Sequence, residues 1–206
     1  MVITALYGFL GLPRDWDFLR EAGFDVREGP PAGGGFLAAL GMTRGDVLLG
    51  YSRGGRLALQ ALLDGASYRA AALISTRVSP AAESREAWAQ RFEHDDDWDT
   101  LMRDWNAQPL FGGHVLPRLE EDFNRAELAR QLRENMPPAL PRLHELTLPT
   151  LWIAGARDPK YVAEARLAAS RAPNATVEIV DGAAHRVPWE NPEAFIAALR
   201  RFLGAS

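Results

Sequence analysis

The sequence predicts an α/β fold in which a mostly parallel sheet is covered by helices and carries one helical insertion. Three observations lead there. Short apolar runs of strand length recur along the chain, amphipathic stretches separate them, and residues 79–146 break the alternation. The first strand is read at residues 2–7, Val2-Ile3-Thr4-Ala5-Leu6-Tyr7. That start lacks the basic region and longer apolar core of a secretory leader. Further strands are expected at residues 47–50, 70–75, 150–155 and 176–180. These runs are apolar throughout rather than alternating, which suits parallel strands buried on both faces. Amphipathic helices are expected at 53–63, 161–171 and 192–203. The last keeps Phe195, Ala198, Leu199 and Phe202 on one face at helical spacing.

Residues 79–146 hold helical patterns and many charges, punctuated by Gly112-Gly113 and by Pro137, Pro138 and Pro141. They read as a helical cap inserted into a single domain spanning residues 1–206, because loops at the carboxyl ends of parallel strands are where such folds bind ligands. A small helical domain with no part in the site is the alternative.

Composition excludes several classes. With 27 acidic and 23 basic residues, the net charge of −4 argues against a nucleic-acid binder. No run approaches the ~20 apolar residues of a membrane span. There is no cysteine, hence no disulfide framework, thiolate metal site or cysteine nucleophile, and the cytoplasm is the expected compartment. Neither a cofactor nor a metal is expected.

The chemistry concentrates at Gly50-Tyr51-Ser52-Arg53-Gly54, between an apolar strand and a helix. Gly-x-Ser-x-Gly in that setting is a nucleophile elbow, with Ser52 at the apex of a strained turn and glycines where larger side chains would crowd it. The helix N-terminus beneath the hydroxyl favours developing negative charge. A serine hydroxyl needs an imidazole beside it and an acid to orient that imidazole. His185 stands in a loop after the last strand and before the final helix. Of the other histidines, His94 lies in a charge run, and His114 and His144 lie within the insertion without metal-ligand spacing. The acid should follow the strand at 150–155, which selects Asp158; Asp181, on the histidine's own loop, is the rival. Oxyanion donors are expected from the backbone N–H groups of Arg53 and Phe9, with Leu10 second to Phe9.

These pieces resemble the α/β-hydrolase superfamily, and within it the 2-succinyl-6-hydroxy-2,4-cyclohexadiene-1-carboxylate synthase (MenH) family of menaquinone formation. The residues that carry the narrower resemblance are Gly8-Phe9-Leu10-Gly11 with Asp15-Trp16, and the elbow through Arg56. With them go Trp88-Ala89-Gln90-Arg91-Phe92, the run from Asp104 to Phe111, Asp158-Pro159-Lys160-Tyr161, and Glu190-Asn191-Pro192. The resemblance implies elimination rather than hydrolysis. Ser52, His185 and Asp158 would initiate proton abstraction from a small polycarboxylate, and pyruvate would leave. It further implies that Tyr51, Arg56, Trp105 and Arg118 bind substrate, with Arg77 and Arg85 as looser matches to another family arginine. The family carries histidine where this chain has Tyr7, and a hairpin before the first strand, so a shortened N-terminus is expected, with compression at 25–36.

Two other readings stay open. The same triad fits a serine hydrolase, a carboxylesterase or thioesterase acting on a small ester, and Tyr7 leaves room for a non-catalytic binding protein on this fold. Oligomeric state is not read from the sequence.

Overall fold

A computed structural model describes residues 1–29, 46–80, 85–94 and 97–204. The stretch from 30 to 36 and insertion residues 81–84 and 95–96 lie outside the described residues. Six strands form one sheet: β1 (Val2–Leu6), β2 (Asp25–Glu28), β3 (Val47–Tyr51), β4 (Ala70–Ile74), β5 (Thr150–Gly155) and β6 (Ala175–Val180). Their order is β2-β1-β3-β4-β5-β6, and every pairing is parallel.

Side chains alternate across the sheet, and both faces are apolar. Leu48, Ala71, Leu73, Trp152 and Ala154 pack into one cluster. Val47, Leu49, Ala72, Ile74, Leu151 and Ile153 pack into another on the opposite face. Two-sided burial explains why these strands read as continuous apolar runs. Helices α2 (Arg53–Leu63) and α6 (Pro159–Ala169) contribute to the first cluster, and α8 (Pro192–Gly204) covers the second through Phe195 and Leu199.

Strand β2 escaped the sequence reading. It is a four-residue edge strand with only Val26 buried, and the flanking Asp25, Arg27 and Glu28 are exposed. Short, charged edge strands resist edge-to-edge association but carry almost no apolar signal.

Between β4 and β5 lie α3 (Glu86–His94), α4 (Trp98–Asn106) and α5 (Arg125–Arg133) with three short 3-10 turns, and no strand occurs among the described residues of this stretch. The three helices build a third cluster around Phe92, Leu101, Trp105 and Leu128, which also takes in Leu10 from the loop after β1. The segment is pinned where it leaves the core. The buried Glu164 carboxylate on α6 accepts the Val78 and Ser79 N–H groups at 2.8 and 3.1 Å. No described helix is long and apolar enough to cross a membrane.

Candidate active site

Strand β3 runs directly into Ser52, whose φ of 53° and ψ of −112° lie outside the ordinary regions for a side-chain-bearing residue. The turn closes because two glycines leave no bulk. A Cβ on Gly50 would lie 2.6 Å from Gly55 Cα, and one on Gly54 would lie 2.5 Å from the Leu6 and Tyr7 carbonyl oxygens. Leu10 and Ser75 also have positive φ, 58° and 46°. All three non-glycine residues follow the carboxyl ends of β1, β3 or β4, where the site is built. Such residues cost roughly 1–3 kcal/mol each and persist where surrounding packing over-determines them.

His185 sits in the loop between β6 and α7 (Val187–Glu190) and is 2% exposed. Its Nε2 lies 3.0 Å from Ser52 Oγ and its Nδ1 lies 2.9 Å from Asp158 Oδ2. Asp158 caps α6, its other oxygen accepting the Tyr161 N–H at 3.3 Å. A carboxylate can only accept, so Nδ1 carries the proton and the Nε2 lone pair faces the serine hydroxyl. Burial pushes the His185 imidazole below its ordinary pKa, against the pull of Asp158 toward the charged form. Asp181, the rival acid, is exposed.

Two further side chains hold the histidine loop, and the sequence reading named neither for that task. Glu190 accepts the Ala184 N–H at 2.7 Å through one oxygen and the Arg186 N–H at 2.8 Å through the other, bracketing His185. Ser75 Oγ donates to the His185 carbonyl at 2.8 Å. Glu190→Ala is therefore expected to slow any reaction His185 drives by roughly 10–100-fold with KM little changed, since displacing a catalytic group by about 1 Å costs on that order. Steady-state kinetics on folded protein check this, and an unchanged kcat would show that the bracket is dispensable.

Ser52 opens onto two adjoining cavities. The first, about 190 Å³, has Phe9, Leu10, Tyr51, Trp105 and His185 on its wall. Its cations are Arg77, Arg85, Arg118, Lys160 and Arg186. The second, about 380 Å³, shares Ser52, Arg77, Arg85 and Tyr161 and adds Arg53 and Arg56. Arg56 thus lies in the second cavity and not on the wall of the first. It donates to the Met136 and Pro137 carbonyls at 2.7 and 3.3 Å, and burial lowers its pKa to about 10.

Arg118 reaches the first cavity but is paired with Asp15 at 2.7 Å, with both side chains below 8% exposed. Burial raises the Asp15 pKa although Arg118 opposes the shift. Trp105 is both core and wall, packing on Trp88, Phe92 and Phe9 within its own cluster while facing the cavity. The side chain of Arg53 is ion-paired with Glu134, just past α5. Its backbone N–H opens α2, where helical geometry leaves it without an intrahelical acceptor. Phe9 lines the same cavity as Ser52, and its ring packs on Phe92 and Trp105.

Arg186, next to the histidine, was also missed. A single loop cation has no periodicity to announce it, and its adjacency to His185 was the available signal. Among the described residues no group of three or more His, Asp or Glu side chains is placed to hold a metal.

Comparison with known proteins agrees with this architecture. A 2-succinyl-6-hydroxy-2,4-cyclohexadiene-1-carboxylate synthase from Salmonella newport is 27% identical over 242 residues, covering 98% of this chain and 93% of that protein. The structure of MenH from S. aureus superposes with a TM-score of 0.87 at 24% identity, covering all of this chain and 94% of that one. An esterase from Exiguobacterium antarcticum superposes with a TM-score of 0.76 at 15% identity, covering 99% and 92%. Residues 2–198 match the sequence profile of the Alpha/beta hydrolase family. With the elbow, the parallel sheet and that match together, the chain belongs to the alpha/beta hydrolase family.

Proposed function

We propose that this α/β-hydrolase-type enzyme is a lyase of menaquinone formation. It eliminates pyruvate from its substrate and leaves 2-succinyl-6-hydroxy-2,4-cyclohexadiene-1-carboxylate, with Ser52, His185 and Asp158 as its triad. The observation that carries this reading is the concentration of arginine and lysine around Ser52, which suits a small substrate with several carboxylates. A simple apolar ester would gain nothing from it. The Salmonella newport protein's name and the similarity over 98% of this chain point the same way.

In this mechanism neutral His185, acting through Ser52 Oγ, takes a proton from a ring carbon of the substrate. The C–H electron pair moves into the ring, shifting its double bond toward the carbon that carries the enolpyruvyl oxygen, and that C–O bond breaks. The three-carbon fragment leaves as the enolate of pyruvate and recovers a proton, which restores neutral His185. Asp158 stabilises the transient imidazolium. The N–H groups of Phe9 and Arg53 donate to oxygen where negative charge develops. Arg56, Arg118, Tyr51 and Trp105 hold and orient the substrate. Residues 79–146 act as a helical cap that limits water at the reacting carbon. The cytoplasm is the proposed setting, and no cofactor or metal takes part.

The serine-hydrolase reading uses the same triad geometry and is separated from the lyase by one experiment. The purified enzyme is given the enolpyruvyl precursor, and pyruvate is followed through coupled NADH oxidation. Stoichiometric pyruvate, lost in Ser52→Ala and His185→Ala, is expected. Fast hydrolysis of p-nitrophenyl acetate with an acyl-enzyme burst and no pyruvate would transfer the enzyme to the hydrolases.

A further inference from the structure

The two cavities that meet at Ser52 each contain an arginine, half-buried in one and buried in the other, that forms no salt bridge among the described residues. In the second it is Arg56, whose guanidinium donates to backbone carbonyls. In the first it is Arg186, 5% exposed. Among the described residues no salt bridge reaches Arg186. Arg118 nearby is matched by Asp15, and Arg53 by Glu134. Glu190 is the acidic side chain on the same loop, but both its oxygens are committed to the Ala184 and Arg186 backbone N–H groups. What Arg186 does contact is uncharged. One nitrogen donates to the His114 carbonyl at 2.5 Å, and its guanidinium carbon stacks 3.8 Å from the centre of the Phe111 ring. The Tyr51 phenol lies close enough to interact with it electrostatically.

That last contact decides what Tyr51 can do. Arginine has donors only, so toward the guanidinium the phenol oxygen can only accept, and its own proton can serve another acceptor. The Tyr51 ring lies tilted beside His185, with centroids 5.6 Å apart, and Trp189 meets it edge-on at 4.8 Å. Tyr51 adjoins Ser52 in sequence, and Arg186 adjoins His185. A guanidinium and a phenol proton therefore stand side by side, each one residue from a group that performs the chemistry. A buried cation without a counter-charge is costly, and an incoming anion with hydrogen bonds to it offsets that cost.

We propose that Arg186, together with the Tyr51 hydroxyl, binds a carboxylate of the substrate in the lobe that Arg56 does not reach. The site rests on the polycarboxylate substrate of the proposed function and deepens it. The substrate carries anionic groups on both sides of the reacting carbon, and Ser52 works between two arginine-held ends. Burial lowers the pKa of Arg186, in keeping with a cation that awaits its partner.

The test uses the reaction-silent Ser52→Ala enzyme and two probes of one shape, phthalate and its uncharged dimethyl ester. Binding is followed by the fluorescence of Trp88, Trp105 and Trp189 on the cavity wall. Arg186→Met, which keeps an unbranched side chain over Phe111, is expected to weaken phthalate roughly tenfold or more and leave dimethyl phthalate unchanged. Arg186→Lys, which retains the charge, should recover much of the loss, and Tyr51→Phe should weaken phthalate by roughly threefold. Unchanged phthalate binding in Arg186→Met overturns the proposal. So does equal weakening of both probes, which marks a purely structural arginine, or a parent enzyme that binds no phthalate. The lyase reading is decided separately by pyruvate release. Arg186-dependent phthalate binding in an enzyme that releases no pyruvate would keep the anion site and remove the lyase.

Discussion

Ser52→Ala is expected to lower the rate of pyruvate release by ~10²–10⁴, the usual contribution of a positioned proton-transfer group. KM should stay within a few-fold, because the arginines that meet the carboxylates are untouched. The loss follows from geometry. Ser52 Oγ is the atom 3.0 Å from the basic nitrogen of His185, and without it the imidazole has no relay to the substrate. Melting should show no loss of stability, since the backbone strain at φ 53° is the same for alanine. The pH profile of the unaltered enzyme gives a second readout. Burial holds His185 below its ordinary value of 6.5, so the neutral base survives to lower pH than a free histidine would allow. The acid limb of kcat/KM is therefore expected to have its midpoint below pH 6.5, with activity lost only as pH falls through that lowered value. The same shift removes stability from the fold on the acid side alone, as pH drops from 6.5 toward the folded-state pKa. An acid limb centred above pH 6.5 would mean that Asp158 outweighs desolvation.

Asp15→Asn is expected to be the most damaging single change to stability outside the sheet. It strands the Arg118 guanidinium, 7% exposed, without its carboxylate. Breaking a buried pair from one side costs about 3–5 kcal/mol, which in a chain of this size corresponds to roughly 10 °C of melting temperature. Asp15 Oδ2 also accepts the Leu12 N–H at 2.8 Å, so the loop after β1 loosens with it. Replacing both partners, Asp15→Leu with Arg118→Met, should return most of that stability, because uncharged neighbours of similar volume need no counter-ion. The double variant also isolates the proposed role of Arg118 at the substrate. If Arg118 binds a carboxylate, the refolded double variant has a KM raised roughly tenfold. Urea unfolding and steady-state kinetics together check both halves. Recovered stability with unchanged KM would confine Arg118 to the scaffold.

Much of the sheet could be read from sequence because β1, β3, β4 and β5 are buried on both faces, so hydrophobicity alone marks them. The reading placed the start of α6 at Tyr161, two residues late. Asp158-Pro159 is itself a helix-start signature, an N-cap followed by proline at the first helical position, and Asp158 serves both the helix and the triad. Strand β2 fails the apolar test outright. The contacts of Ser52, His185 and Asp158 follow from local signals in the expected chain order: an elbow, a strand-end acid and a loop histidine. Arg186 and Glu190 have no such signal. Their meaning comes from what closes around them, the Phe111 ring from the helical segment and the backbone of the histidine's own loop. Neither a contact across the fold, like that of Arg186 with Phe111, nor a bracket within an irregular loop, like that of Glu190, leaves a period in the sequence.

The separation of the reacting groups along the chain carries one more consequence. Ser52 and His185 meet across 133 residues, and His185 and Asp158 across 27. Closing so long a loop is entropically unfavourable until β3, β4, β5 and β6 have stacked in register. His185 hangs beyond β6, the outermost strand on its side of the sheet. An edge strand is hydrogen-bonded on one side only, so it has fewer ladder partners than a strand inside the sheet. Catalysis is therefore tied to one edge of the sheet. When the protein refolds, activity returns only once β6 has docked, so turnover itself reports that the edge has closed.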